Sequence, residues 1–143
     1  VGYKTQIMAK VLSGISMGAV GTLSMLLAAA VFMPVPAYLM LLVAAESVFG
    51  IVFSSFSGIL IDLNFPKLIW DNEQKAVKQN FNVMFNMLAG IVVSGIPVFI
   101  VIALHFTLWM TFLTLVLIFG ILDILLYSIL STIGVKLFEK LEA

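Results

Sequence analysis

Two carboxylates in this chain stand inside long apolar runs, where ionisable side chains are rare. Glu46 lies within the run 37–61 and Asp123 within the run 108–133. A carboxylate in the middle of a membrane costs ~2.5–3.5 kcal/mol on insertion scales, so each should face protein or water and have a partner. The two side chains could form a proton relay or a polar patch on a substrate path. The structural alternative is a buried hydrogen bond between helices.

Other polar side chains accompany the two acids. Tyr127 follows Asp123 by one helical turn, and Asn82 and Asn86 share a face at the start of the run 81–104. No Lys or Arg lies in any of the apolar runs, so the acids would be protonated or hydrogen-bonded to Ser, Asn or Tyr. The single His, His105, falls between two runs and is expected to be an exposed turn residue. With no Cys and no second His, no metal site is predicted.

Four apolar segments must position these side chains. The chain is 63% hydrophobic and 10% charged, with a mean hydropathy of +1.24, whereas soluble domains carry about 25% charged residues. A helix that crosses a bilayer needs about 20 apolar residues. The sequence therefore predicts an all-α polytopic membrane protein of one domain, with four transmembrane helices arranged as two hairpins. The predicted spans are 11–33, 37–61, 81–104 and 108–133.

The distribution of lysine predicts the orientation of these spans. Every Lys lies before the first span, between the second and third, or after the fourth: Lys4, Lys10, Lys67, Lys75, Lys78, Lys136 and Lys140. The connections 34–36 and 105–107 carry none. Because positive residues collect on the cytoplasmic side, both termini and the connection 62–80 are expected in the cytoplasm. The predicted location is the cell membrane.

Small residues recur along each predicted span at helical spacing. Gly14, Gly18 and Gly21 lie on neighbouring turns of the first span, and Gly50 and Gly58 flank Ser54 on the second. Close approach of small residues drives helix association in lipid. Such stripes are common in membrane helices, so they predict packing faces rather than a specific function.

The motifs of several enzyme classes are missing from the sequence. There is no phosphate-binding G-x-x-x-x-G-K-[ST] and no HExxH. The net charge is zero, so the composition gives no reason to expect nucleic-acid binding. The chain is therefore not expected to be an enzyme, and any energy for its action would come from an ion gradient or from another polypeptide.

The one substantial polar stretch, the connection 62–80, reads DLNFPKLIWDNEQKAVKQN. It resembles a signature of ABC-2-type permeases, in a group of exporters common in Firmicutes, whose pattern is P-K-L-x-W-x-N-E-x-x-A-V-K-Q-N between two spans. The closing GVKLFEKL also resembles the end of such chains. The resemblance covers about thirty residues, and family members are longer, so the chain would be the C-terminal part of a permease.

The resemblance implies a membrane subunit of an ATP-driven exporter, with no cofactor of its own. ATP and Mg²⁺ would bind a separate cytoplasmic ATP-binding subunit that docks on the connection 62–80. A second permease copy is a further candidate partner, beside the lipid bilayer. The residues expected to dock the ATP-binding subunit are Pro66, Lys67, Trp70, Asn72, Glu73, Lys78, Gln79 and Asn80.

Two other functions are compatible with the sequence. The first is a self-contained four-span exporter that couples transport to protons through Glu46. Small multidrug exporters also have four spans and one membrane Glu, but their loops are shorter and their acid lies in the first span. The second is a membrane scaffold that transports nothing.

Overall fold

A computed structural model describes residues 2–66 and 81–142 of the chain, with side chains through 140. Every regular element in these ranges is helical. In chain order the elements are α1 (Tyr3–Phe32), α2 (Ala37–Asn64), α3 (Phe81–Ala103), α4 (Leu108–Ile129), a π-helical turn (Leu130–Gly134) and α5 (Val135–Glu142). The last three follow one another without a break, so the fourth apolar segment is a continuous helix to Lys140.

The predicted fold class is confirmed. Within the described ranges, four helices are long and apolar enough to cross a membrane. The helices extend beyond three of the predicted spans, because hydropathy marks the apolar part of a helix and not its hydrogen-bonded ends. α1 begins at Tyr3, where the backbone N–H groups of Thr5 and Gln6 donate to the Gly2 carbonyl at 2.9 and 3.2 Å. The fourth helix likewise continues past residue 133.

One tight turn joins the two helices of each hairpin. At the first, the N–H of Val35 donates to the Met33 carbonyl at 2.8 Å, and Pro36 precedes α2. At the second, His105 adopts a φ of 52°, in the left-handed region that reverses a chain sharply. Thr107 then caps α4, since its hydroxyl accepts a hydrogen bond from the N–H of Met110 at 3.4 Å. The bundle end with both turns is called the turn end, and the opposite end the loop end.

α2 is the central helix of the bundle. It contacts α1, α3, α4, the π turn and α5, whereas α1 and α3 do not contact each other in the described ranges. The rings of Phe53 and Phe119 meet edge to face at 5.6 Å, and those of Phe56 and Tyr127 lie 6.2 Å apart. From the first pair to the second, the residue numbers rise on both α2 and α4. The two helices therefore run parallel, from the turn end to the loop end.

The tightest packing lies at the loop end. One buried cluster joins α1, α2, the π turn and α5, and its members are Ile7, Val11, Phe56, Leu63, Leu130 and Phe138. The apolar side chains of the middle and the turn end are largely exposed, including Met25, Phe32 and Leu41. An apolar outer surface of this kind suits lipid. The bundle is therefore compact at the loop end and open towards the turn end.

Aromatic contacts hold the start of α1 against the last helix. The ring of Tyr3 lies 5.7 Å from that of Phe138. The Lys4 Nζ atom stands 5.5 Å from the centroid of the Tyr127 ring, and the Lys10 Nζ atom 5.1 Å from that of Phe138. Both distances are within the range of a cation–π interaction. The first turns of α1 are thus fixed by packing as well as by backbone hydrogen bonds.

Candidate functional site

Glu46 lies on α2 and faces the helix pair α3 and α4. Its carboxyl group is about 14 Å from the start of α2 at 1.5 Å per residue, which places it near the middle of a ~30 Å hydrocarbon layer. Both carboxyl oxygens are buried, and neither has a hydrogen-bond partner in the described parts of the chain. The Glu46 carboxyl oxygens thus lie inside the bundle, while the expected Ser, Asn or Tyr partner is not found among the described residues.

The hydroxyl groups around Glu46 donate their protons elsewhere. The Ser47 hydroxyl donates to the Ala44 carbonyl at 2.7 Å. Ser94 donates to the Gly90 carbonyl at 2.7 Å, and Thr111 to the Thr107 carbonyl at 2.9 Å. Serine and threonine have one O–H proton each. These bonds within their own helices therefore explain why the neighbouring hydroxyls leave the Glu46 carboxyl without a donor.

Two adjoining cavities share Glu46 as a lining residue. The larger has a volume of about 330 Å³ and is lined by α2, α3 and α4: Val43, Glu46, Ser47, Gly50, Ser94, Val98, Leu115 and Phe119. The smaller, of about 110 Å³, extends towards the turn end and shares Val43, Glu46 and Leu115. Its other lining residues are Leu39, Leu42, Leu108, Thr111 and Phe112. Together they form an apolar space with a single acid in its wall.

Asp123 lies apart from Glu46, deeper towards the loop end. It is 9% exposed, and its Oδ1 atom has no hydrogen-bond partner among the described residues. Leu115, which lines the Glu46 cavity, precedes Asp123 by roughly 12 Å along α4. The two acids are thus at different depths and do not form one pair. Tyr127, one turn further, packs its ring against Phe56 rather than bonding Asp123.

The two asparagines of α3 bind α2 across the base of the connection 62–80. The Nδ2 atom of Asn82 donates to Asp62 Oδ1 and to the Phe65 carbonyl, each at 3.0 Å. The Oδ1 atom of Asn86 accepts from the Ser57 hydroxyl at 2.7 Å. The sequence predicted that these asparagines satisfy one another or lipid headgroups. In the structure they bind α2, which the sequence did not indicate.

A separate cavity with a polar lining lies beside these asparagines, between α1, α2 and α3. Its volume is about 270 Å³, and its lining includes Lys10, Asp62, Asn82 and Asn86. Neither Lys10 nor Asp62 was among the predicted site residues. Their position in the sequence could have indicated them, since each lies at the boundary between an apolar segment and the polar residues next to it.

The small-residue stripes are only partly packed against other helices. A Cβ atom added at Gly18 would lie 2.8 Å from Ile51 Cγ2, and one at Gly14 would lie 3.0 Å from the Ser55 hydroxyl. An added Cβ would meet nothing within 4 Å at Gly21, Gly50, Gly90 and Gly95. The predicted packing face of α1 is therefore real at two of its three glycines, where it contacts α2.

Most of the predicted docking residues lie outside the described residues. This applies to Lys67, Trp70, Asn72, Glu73, Lys78, Gln79 and Asn80. Pro66 is described and is exposed just after the end of α2. The docking role of the connection 62–80 stays a prediction.

No protein-family model, no curated protein and no solved structure matches this chain. The four apolar helices support a multi-pass membrane protein. Its function has to be inferred from the residues and their geometry.

Proposed function

We propose that the chain is a membrane-spanning permease subunit of an ATP-driven exporter of the ABC-2 type. The observation that carries this proposal is the stretch from Pro66 to Asn80, which resembles the family signature and stands between the second and third apolar helices. In this proposal the connection 62–80 faces the cytoplasm and docks a separate ATP-binding subunit. Both chain termini lie on the same side of the cell membrane.

The base of the connection is built in a way that supports a coupling role. Asn82 at the start of α3 bonds Asp62 and the Phe65 carbonyl near the end of α2. Asn86, one turn deeper, bonds Ser57. A displacement applied to the connection would therefore move the two helix ends as one unit. Because helices are stiff elements, such a displacement can reach the middle of the membrane.

The position of α2 extends this argument to the whole bundle. α2 contacts every other described helix, and the buried cluster at the loop end includes its residues Phe56 and Leu63. The middle and the turn end are less tightly packed and contain the cavities that Glu46 lines. A movement of α2 driven from the loop end would thus change the shape of these cavities.

The docking proposal is tested by replacing charged residues of the connection. Glu73→Ala and Lys78→Ala, made in the full-length permease, should each reduce co-purification with the cognate ATP-binding subunit and the stimulation of its ATP hydrolysis. Glu139→Ala is the matched control, because Glu139 is a charged residue of α5 at the same end of the bundle and outside the connection. Normal co-purification and normal ATP hydrolysis in both variants, at equal expression, would disprove the docking role.

A second candidate function is proton-coupled export through Glu46. The observation that favours it is the buried Glu46 carboxyl group, which has no hydrogen-bond donor among the described residues, on a residue that lines two cavities. This function predicts transport into sealed vesicles that is driven by a proton gradient without ATP and is lost in Glu46→Gln. An ATP requirement that persists in the presence of the gradient would favour the permease subunit instead.

A further inference from the structure

We propose that a groove between α1 and α3 holds one phospholipid of the phosphatidylethanolamine type. The headgroup lies in the polar cavity at the loop end, with its phosphate beside Lys10 and its ammonium group beside Asp62. One acyl chain lies along α2 towards the middle of the bundle. The proposal holds for either proposed function, because it rests on the shape and the charges of the groove.

The groove exists because α1 and α3 both pack on α2 and do not contact each other in the described ranges. The polar cavity, of about 270 Å³, lies at its loop end between the three helices. A second cavity, of about 350 Å³, continues between α1 and α2 and shares Gly14, Ser54 and Ser55 with the first. Its other lining residues are Gly18, Thr22, Ser47, Gly50 and Ile51. A polar end and a middle lined by small side chains thus belong to one continuous groove.

The polar cavity has one charge of each sign in its wall. Lys10 and Asp62 both line it and both are exposed. The Lys10 Nζ atom stands 5.1 Å from the centroid of the Phe138 ring, and Asp62 Oδ1 accepts a hydrogen bond from Asn82 at 3.0 Å. An ammonium group has three N–H donors and a carboxylate has about four acceptor positions. Both charged groups therefore keep capacity for a ligand that carries an anion and a cation close together.

The charges also decide between a lipid and a protein helix as the occupant. An apolar helix lying in the groove would bury Lys10 and Asp62 without a partner, which is costly. A zwitterionic headgroup supplies one partner of each sign. A primary ammonium group donates N–H hydrogen bonds to Asp62, whereas a quaternary choline group has no N–H to donate. The cavity therefore favours ethanolamine over choline.

The length of the groove matches one leaflet of a bilayer. From Lys10 to Thr22 the distance along α1 is roughly 18 Å, and from Asp62 back to Gly50 it is the same along α2. One leaflet contributes about half of a ~30 Å hydrocarbon layer. A Cβ atom added at Gly50 would meet nothing within 4 Å, so the floor of the groove has open space there. An acyl chain that starts below the headgroup would end near Thr22 and Gly50.

Native mass spectrometry of the whole chain, released from detergent micelles, tests the proposal. The probes are phosphatidylethanolamine and phosphatidylcholine with identical acyl chains, which differ only in the methyl groups on the nitrogen. We expect one phosphatidylethanolamine to remain bound, with an affinity about tenfold above that of phosphatidylcholine, as for a hydrogen bond to a charged group. Equal affinities of the two lipids for the unmodified chain would overturn the proposal, and this comparison needs no variant to fold.

Variants at the polar end locate the headgroup. Asp62→Asn keeps an acceptor for Asn82 and should remove the preference for phosphatidylethanolamine, whereas Glu139→Gln, an exposed acid of α5 outside the cavity, should retain it. Lys10→Met should weaken both lipids, because both contain the phosphate. Its matched control is Lys4→Met, which removes the other cation–π contact of α1 at a residue that does not line the cavity. A preference that survives Asp62→Asn, or equal lipid binding by the two lysine variants, would contradict the proposal.

Variants in the middle of the groove locate the acyl chain. Thr22→Phe should weaken both lipids because its ring fills the deep end of the groove, whereas Ser24→Phe, on the same helix and outside the groove, should not. Unchanged lipid binding in Thr22→Phe would overturn the placement of the acyl chain. The chain has no Cys, so Thr22→Cys introduces a single thiol. An intermolecular disulfide formed by Thr22→Cys in membranes would identify a second copy of the chain as the occupant and would also overturn the proposal.

Discussion

The bonds of Asn86 to α2 should measurably stabilise the bundle. In Asn86→Leu, a change of similar volume, the bundle loses the bond from the Ser57 hydroxyl at 2.7 Å and the bond to the Ser54 carbonyl at 3.2 Å. A longer contact to the Ser54 hydroxyl, at 3.4 Å, is also lost. The Ser57 hydroxyl still donates to the Ser54 carbonyl at 3.2 Å, so it does not become an unsatisfied buried donor.

These contacts set the expected magnitude. Hydrogen bonds between membrane helices contribute ~0.6 kcal/mol on average and up to ~1.7 kcal/mol. Two well-formed bonds and one weak contact therefore give a loss of about 1–2 kcal/mol in the free energy of unfolding, a factor of roughly 5–30 in the equilibrium constant. The leucine fits only with some adjustment, since a Cβ at Gly58 would lie 3.1 Å from Asn86 Nδ2, which shows how closely the helices approach here.

The assay is reversible unfolding in mixed detergent micelles. The matched control is Asn64→Leu, because among the described residues the Asn64 amide donates only to the Leu60 carbonyl of its own helix, at 2.7 Å. Combining Asn86→Leu with Ser57→Ala in a double-mutant cycle isolates the bond between the two side chains. The reasoning is refuted if Asn86→Leu costs no more than Asn64→Leu, or if the cycle gives a coupling energy near zero.

Further predictions concern topology and packing. Single cysteines at Val35 and Thr107 should react with a membrane-impermeant thiol reagent applied to sealed cells, and one at Glu73 should not; labelling at Glu73 from outside would reverse the orientation inferred from the lysines. Gly18→Ala should lower the free energy of unfolding by about 1–3 kcal/mol because it overpacks the contact between α1 and α2, whereas Gly21→Ala, with open space at the added Cβ, should have little effect. Equal unfolding free energies for these two glycine variants would show that α1 does not approach α2 as described.

The number and class of the helices followed from the sequence because bilayer thickness imposes a length on any apolar segment that crosses it. The inward position of Glu46 and Asp123 followed from the cost of exposing a carboxylate to lipid. Both features follow from the properties of the lipid bilayer, and the hydropathy along the chain is enough to derive them.

The pairing of side chains did not follow from the sequence. Asn82 and Asn86 were expected to bond to one another or to lipid headgroups. Both bond to residues of α2, because helix rotation and neighbour order decide which polar groups meet. Residue spacing also does not indicate that the Glu46 carboxyl group has no hydrogen-bond donor among the described residues. This lack of a donor depends on Ser47, Ser94 and Thr111 each bonding to its own helix, a choice of rotamer that residue spacing does not reveal. The stripe of glycines predicted contact on α1, but only the packed structure distinguishes Gly18 from Gly21.

The π turn at Leu130–Gly134 sets the angular phase of everything that follows it. A π turn carries one residue more than the equivalent α-helical turn, and each residue of an α-helix advances the chain by about 100° around its axis. Because the π turn takes up this extra residue, deleting one residue within Leu130–Gly134 would let the α-helix run on unbroken with α5 in nearly the same orientation. If the same residues formed a regular α-helix without the π turn, α5 would rotate by about 100°. Phe138 would then turn away from Tyr3 and Lys10, its neighbours on α1. A single inserted residue thus decides which side of the last helix reaches the first.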